Sequence, residues 1–62
     1  MDTVVYFMDH KGQLKSKELF MQDFVEKLKL KVGNAVRIGG NLYKVEKIES
    51  GDVANKVQLS PG

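Results

Sequence analysis

Sixty-two residues, no cysteine and a formal net charge of +2 describe one small domain spanning residues 1–62, and they exclude a disulfide framework and a thiolate-held zinc. At this length folding buries only about 60% of the surface that the unfolded chain exposes, so the core is small and the stability is on the order of 3–9 kcal/mol. The longest apolar run, Val4-Val5-Tyr6-Phe7-Met8, falls far short of the ~20 residues of a membrane helix, and no basic segment leads from Met1 into an apolar stretch as in a signal peptide. A cytoplasmic location is therefore expected.

Thr3 to Met8 predicts a strand, rich in β-branched and aromatic residues and bounded by the turn-like Asp9-His10-Lys11-Gly12. Val4, Tyr6 and Met8 share one face and Val5 and Phe7 the other, so both faces are apolar. Such a strand belongs inside a sheet and covered on both sides. Gly12 supplies the positive φ of a short hairpin loop, after which Gln13 to Lys15 pair back on the first strand with Leu14 facing in.

Ser16 is placed as an N-cap, with Glu18 in the following turn. Phe20, Met21, Phe24, Val25 and Leu28 fall in one stripe at about 100° per residue. The expectation is a helix from Lys17 to Lys29, with Phe24 buried against the sheet. Leu19 lies opposite the stripe.

Leu28, Leu30 and Val32 then alternate with Lys29 and Lys31, as in an extended segment, and Gly33-Asn34 signals a turn. Ala35 to Ile38 and Leu42 to Ile48 form a hairpin about Gly39-Gly40-Asn41, with positive φ expected at Gly40. The uneven step from Val45 to Ile48 predicts a β-bulge near Glu46-Lys47. After the turn Ser50-Gly51-Asp52, Val57 and Leu59 mark a last short strand, with Ser60-Pro61-Gly62 as a frayed end.

The order strand, short strand, helix and three strands implies an α+β fold. One helix packs on a small, strongly bent antiparallel sheet, or the sheet forms an SH3-like, partly open barrel. The phrase Val32-Gly33-Asn34-Ala35-Val36-Arg37-Ile38 followed by Gly-Gly-Asn and Tyr43-Lys44-Val45 resembles the hairpins of SH3-like barrels over less than half the chain. The sequence departs from the KOW-type nucleic-acid motif, which has a glycine inside the strand at Leu42 to Ile48. It also lacks the tryptophan and acidic loop of proline-peptide-binding SH3 domains.

The chemistry-bearing residues have ordinary structural explanations. His10 is the only histidine, with Asp9 beside it and Asp2 nearby, and a single imidazole in a turn is a solvated loop residue rather than a metal ligand. Ser16, Ser50 and Ser60 read as cap, turn and tail, with no partner base. Asp23 and Glu26 lie one helical turn apart on a wet face, and Gly39-Gly40 has neither the lysine nor the helix of a phosphate loop. No enzyme, cofactor or small-molecule ligand is indicated.

One charge pattern stands out. No acid occurs between Glu26 and Glu46, a stretch that carries Lys27, Lys29, Lys31, Arg37 and Lys44. The leading expectation is a non-enzymatic module for contact with another protein, an accessory or assembly component such as bacteria and phages use. The alternative is a weak nucleic-acid-binding module, in which Lys29, Lys31, Arg37 and Lys44 contact phosphates and Tyr43 offers a stacking ring. Lysines at a helix end and on strands equally serve the helix dipole and guard against edge pairing.

Overall fold

The computed structural model describes residues 2–62. The elements run β1 (Thr3–Met8), β2 (Leu14–Phe20), α1 (Gln22–Leu28), β3 (Ala35–Ile38), β4 (Asn41–Glu49) and β5 (Asn55–Pro61). The strands form one sheet in the order β2-β1-β5-β4-β3. It does not close into a barrel, since β2 and β3 remain its two edges. The fold is α+β, one helix on a five-stranded sheet. The sheet is mixed rather than antiparallel throughout, because β1 and β5 run parallel, with Val5 beside Val57 and Phe7 beside Leu59. That pairing inserts the last strand between the first and the fourth. Chain direction there is set by a contact more than fifty positions apart, which no local turn specifies.

β1 is an interior strand, as its composition implies. Only one of its faces is fully covered. Thr3, Val5 and Phe7 are buried, whereas Val4, Tyr6 and Met8 are half-buried. The core lies on the first face and consists of Val5, Phe7, Val36, Val45, Val57 and Leu59, with Phe20, Leu28, Leu30, Ile38 and Tyr43 packed around it. Three edge-to-face aromatic contacts link its rim: Phe7 with Tyr43 at 5.0 Å between centroids, Phe7 with Phe20 at 6.3 Å, and Phe20 with Phe24 at 5.1 Å.

The largest correction concerns residues 16–20, because the strand that begins at Leu14 runs on to Phe20. Ser16 is not a helix cap and Glu18 is not in a helical turn. Both lie in β2, opposite Phe7 and Val5. An interior strand must satisfy backbone donors and acceptors on both sides, and the Asp9–Gln13 turn delivers this segment to the free side of β1. In that turn the Asp9 carboxylate Oδ1 accepts from the backbone N–H of Lys11 (2.9 Å) and of Gln13 (2.8 Å). Gly12 takes φ +80°. Leu19, out of place on a helical stripe, sits directly opposite Val4 in the ladder.

The helix is correspondingly short. It spans the seven residues Gln22–Leu28 and follows Met21, its N-cap, which makes no side-chain cap and whose carbonyl accepts from the N–H of Phe24 and Val25. It ends where Lys29 turns left-handed at φ 52° and its N–H returns to the Glu26 carbonyl. None of its residues is buried. Phe24, expected in the core, is 43% exposed and packs edge-to-face on Phe20 at the core rim.

Residues 28–32 form no strand. Leu28 and Leu30 pack on the core rim, and the turn closes with the Asn34 N–H on the Lys31 carbonyl (3.0 Å). The connection is then stitched to β4, the Gly33 N–H to the Val45 carbonyl and the Val45 N–H to the Asn34 carbonyl, both at 2.9 Å. The bulge in β4 falls where the uneven apolar step places it, between Val45 and Lys47. The C-terminus is not frayed, since β5 continues to Pro61 and the Gly62 N–H donates to the Leu42 carbonyl.

The β3–β4 turn has positive φ at both central positions, 60° at Gly39 and 84° at Gly40, the signature of a type I′ hairpin. A Cβ at either glycine meets nothing within 4 Å, so a substitution there costs backbone strain alone. Gly40→Val is expected to lower stability by about 1–3 kcal/mol. Gly39→Asn should be nearly neutral, because asparagine tolerates the left-handed region. Urea unfolding of the two variants checks this, and equal midpoints would show that the turn adopts another geometry.

Candidate contact surface

The second face of the sheet has no layer over it among the described residues. Pairing registers set its side chains in rows. Leu19 of β2 lies opposite Val4 of β1, which is beside Lys56 of β5, which in turn faces Glu49 of β4. The next row is Lys17, Tyr6, Gln58 and Lys47. Leu14 faces Met8 in the third row, and toward the other edge Lys44 lies between Ser60 and Ala35. Arg37 and Leu42 complete this face.

The surface divides chemically. Its β1–β2 half is apolar except for Lys17: Leu14 is 54% and Leu19 63% exposed, beside the half-buried Val4, Tyr6 and Met8. Its β3–β4–β5 half is basic. Within the strands of the whole face, Lys17, Arg37, Lys44, Lys47 and Lys56 stand against Glu46 and Glu49. Glu49 is engaged with Lys47 at 2.8 Å, the only salt bridge among the described residues. That hydrogen bond, and then the charge of Lys47, holds the Glu49 carboxyl below its ordinary value, with a smaller contribution from Lys56, and the same bond raises Lys47. Glu46 accepts from the Ser60 hydroxyl at 2.7 Å. An open groove of about 300 Å³ crosses the face, lined by Tyr6, Met8, Leu14, Lys47, Glu49 and Lys56 among others.

The residues singled out from the acid-free stretch do not share one surface. Arg37 and Lys44 are diagonal neighbours on the open face. Tyr43 points to the opposite side, paired with the buried Val36 and packed on Phe7. Lys29 and Lys31 are exposed on the connection whose leucines bear on the core. Tyr6, Lys17, Lys47 and Lys56 are the members of the open face that reasoning along the chain missed. Alternation in β1 and β5 hinted at a common side for Tyr6 and Lys56, but only the strand order brings them together.

Comparison with known proteins finds no match. No protein family, curated protein or solved structure corresponds to this chain. The surface must therefore be read from its own chemistry.

A second concavity, about 670 Å³, opens between the β1–β2 hairpin and the start of β4. Phe7, His10, Lys15, Glu18, Leu42 and Tyr43 are among its walls. No group of three or more His, Cys, Asp or Glu among the described residues is placed to hold a metal ion. Among the described residues no helix is long and apolar enough to cross a membrane.

Proposed function

We propose that this chain is a small non-enzymatic module of the cytoplasm that works by contact with another protein, as an accessory or assembly component, and that its contact surface is the open face of the sheet. One observation carries the reading: Leu14 and Leu19 stand more than half exposed on either side of Lys17, beside Val4, Tyr6 and Met8. Contiguous apolar surface rimmed by polar groups is characteristic of interaction sites. A lone exposed leucine needs no explanation, whereas a row shared by two adjacent strands does.

A second reading draws on the same face. Tyr6 lies between Lys17 and Gln58, with Lys47 beyond, which is the arrangement of a stacking ring within a cationic groove for a nucleic-acid strand. The apolar half favours the first, because leucine and methionine side chains offer neither charge to phosphates nor flat rings to bases. The finer likeness to SH3-like barrels has the Gly39–Gly40 hairpin and the bulged β4 in its favour. The parallel β1–β5 pair and the two free edges count against it.

The test is site-specific photo-crosslinking in cells that make the protein. A benzophenone side chain at Leu19 should yield protein adducts that the same group at Asp23, on the exposed helix, does not. Adducts with nucleic acid at Leu19, or equal protein adducts at both positions, would remove this reading.

A further inference from the structure

Resting on that reading, we infer that the occupant of the open face is an acidic, amphipathic segment of another protein: large apolar side chains on the β1–β2 half, carboxylates on the β5–β4 half. The division of the surface supports this. Leu14, Leu19, Val4, Tyr6 and Met8 lie in one half, where Lys17 opposite Tyr6 is the charged exception, and the other cations follow across the next strands, Lys56 beside Val4 and Lys47 beyond Gln58. Of the two carboxylates, Glu49 is bound by Lys47 and Glu46 by Ser60. The charge left for a partner is therefore positive, in Lys17, Lys44, Lys56 and Arg37.

The same excess argues against a second copy of this chain as the occupant. Two such faces brought together would set like charges opposite one another, and that juxtaposition suppresses association. Edge pairing through β2 has a related fault. An antiparallel pair of β2 strands centred on Lys17 places that lysine against itself, and like charges directly opposite are destabilising. Strand lysines of this kind guard an edge. Charge leaves an acidic partner, rather than a second copy of this chain, lying across the sheet.

Glu49 then has a definite part. It lies in the row of Val4 and Lys56 and holds Lys47. An incoming carboxylate must compete with it, so Glu49 weakens the contact and tunes it. Removing its charge frees Lys47 for the partner. Destabilisation of the fold cannot imitate that gain of affinity.

The experiment is selection of a displayed random dodecapeptide library on the immobilised full-length chain, followed by affinity measurement for the recovered peptides. The sequences recovered should combine Asp or Glu with Leu, Phe or Trp. Leu19→Ser should weaken them roughly tenfold, the loss of one well-packed apolar contact. Lys56→Glu should weaken them at least several-fold, and Glu49→Gln should tighten them by a few-fold, as expected for exposed charge pairs. A second selection on the Lys17→Glu, Lys56→Glu double variant should recover basic amphipathic peptides instead. Lys29→Glu with Lys31→Glu, on the other side of the molecule, should change nothing, and circular dichroism of each variant verifies its fold.

Peptides that depend on Leu19 but lack acids, or that ignore Lys56 and Glu49, would overturn this inference and leave the contact surface standing. Peptides indifferent to Leu19, or no enrichment at all, would overturn both. Tighter binding of oligothymidine than of any selected peptide, lost on Lys56→Glu, would replace the protein partner by a nucleic-acid strand.

Discussion

Phe7→Ala is expected to lower stability by about 3–5 kcal/mol, comparable with the whole stability of a chain this small. Phe7 is 7% exposed, and its ring is the hinge of the aromatic rim, meeting Phe20 at the end of β2 and Tyr43 in β4. Truncation removes the buried ring and also frees its two neighbours. Edge-to-face pairs contribute about 0.5–1.5 kcal/mol beyond the area they bury, so a double-mutant cycle with Tyr43→Leu should return a coupling in that range. Phe24→Ala is the contrast. The Phe24 ring is 43% exposed and meets Phe20 edge-to-face, so its loss should cost about 1 kcal/mol, although sequence periodicity ranks it as a core residue. Equal melting temperatures for the Phe7 and Phe24 variants would show that the rim is not organised around Phe7.

Leu59→Ala should destabilise by about 2–5 kcal/mol, toward the upper end. Leu59 is fully buried and lies on β5, with Phe7 of β1 on one side and Val45 of β4 on the other. The cost of such a deletion depends on how far the surroundings can close over the cavity. Here both neighbours belong to strands hydrogen-bonded to β5, so neither can move in without breaking ladder bonds. A fall in the thermal midpoint of roughly 10 °C or more is expected for a domain of this size. Leu59→Met, which nearly conserves volume, should cost less than about 1.5 kcal/mol. If the alanine and methionine variants melt together, the centre of the core lies elsewhere.

The elements legible in the sequence are those whose signals are local. β1 announces itself by five consecutive apolar residues between polar ones. The β3–β4 hairpin is fixed by two adjacent glycines, and the bulge by one uneven step between Val45 and Ile48. Each is decided by the residues that form it. The same is true of the Asp9–Gly12 turn, where one carboxylate satisfies two backbone donors.

Residues 16–20 carry no legible strand signal, for the opposite reason. Leu-Lys-Ser-Lys-Glu-Leu-Phe has too few apolar residues to show a period of two, and an edge strand with exposed side chains needs none. Phe20, Phe24 and Leu28 do fall on a helical stripe, but Phe20 reaches the core from the end of a strand and Phe24 follows it there as a partner. What makes β2 a strand is the open side of β1.

The contact surface shows the same division between chain and fold. Sequence alone determined that cations outnumber acids, that Tyr6 lies on the face of β1 opposite to Val5 and Phe7, and that no acid interrupts residues 27–45. Only the tertiary structure decided which charges meet. A strand sends successive side chains to opposite faces, so neighbours in sequence such as Tyr43 and Lys44 part company. Residues fifty positions apart, such as Tyr6 and Gln58, become adjacent through the parallel pairing of β1 with β5.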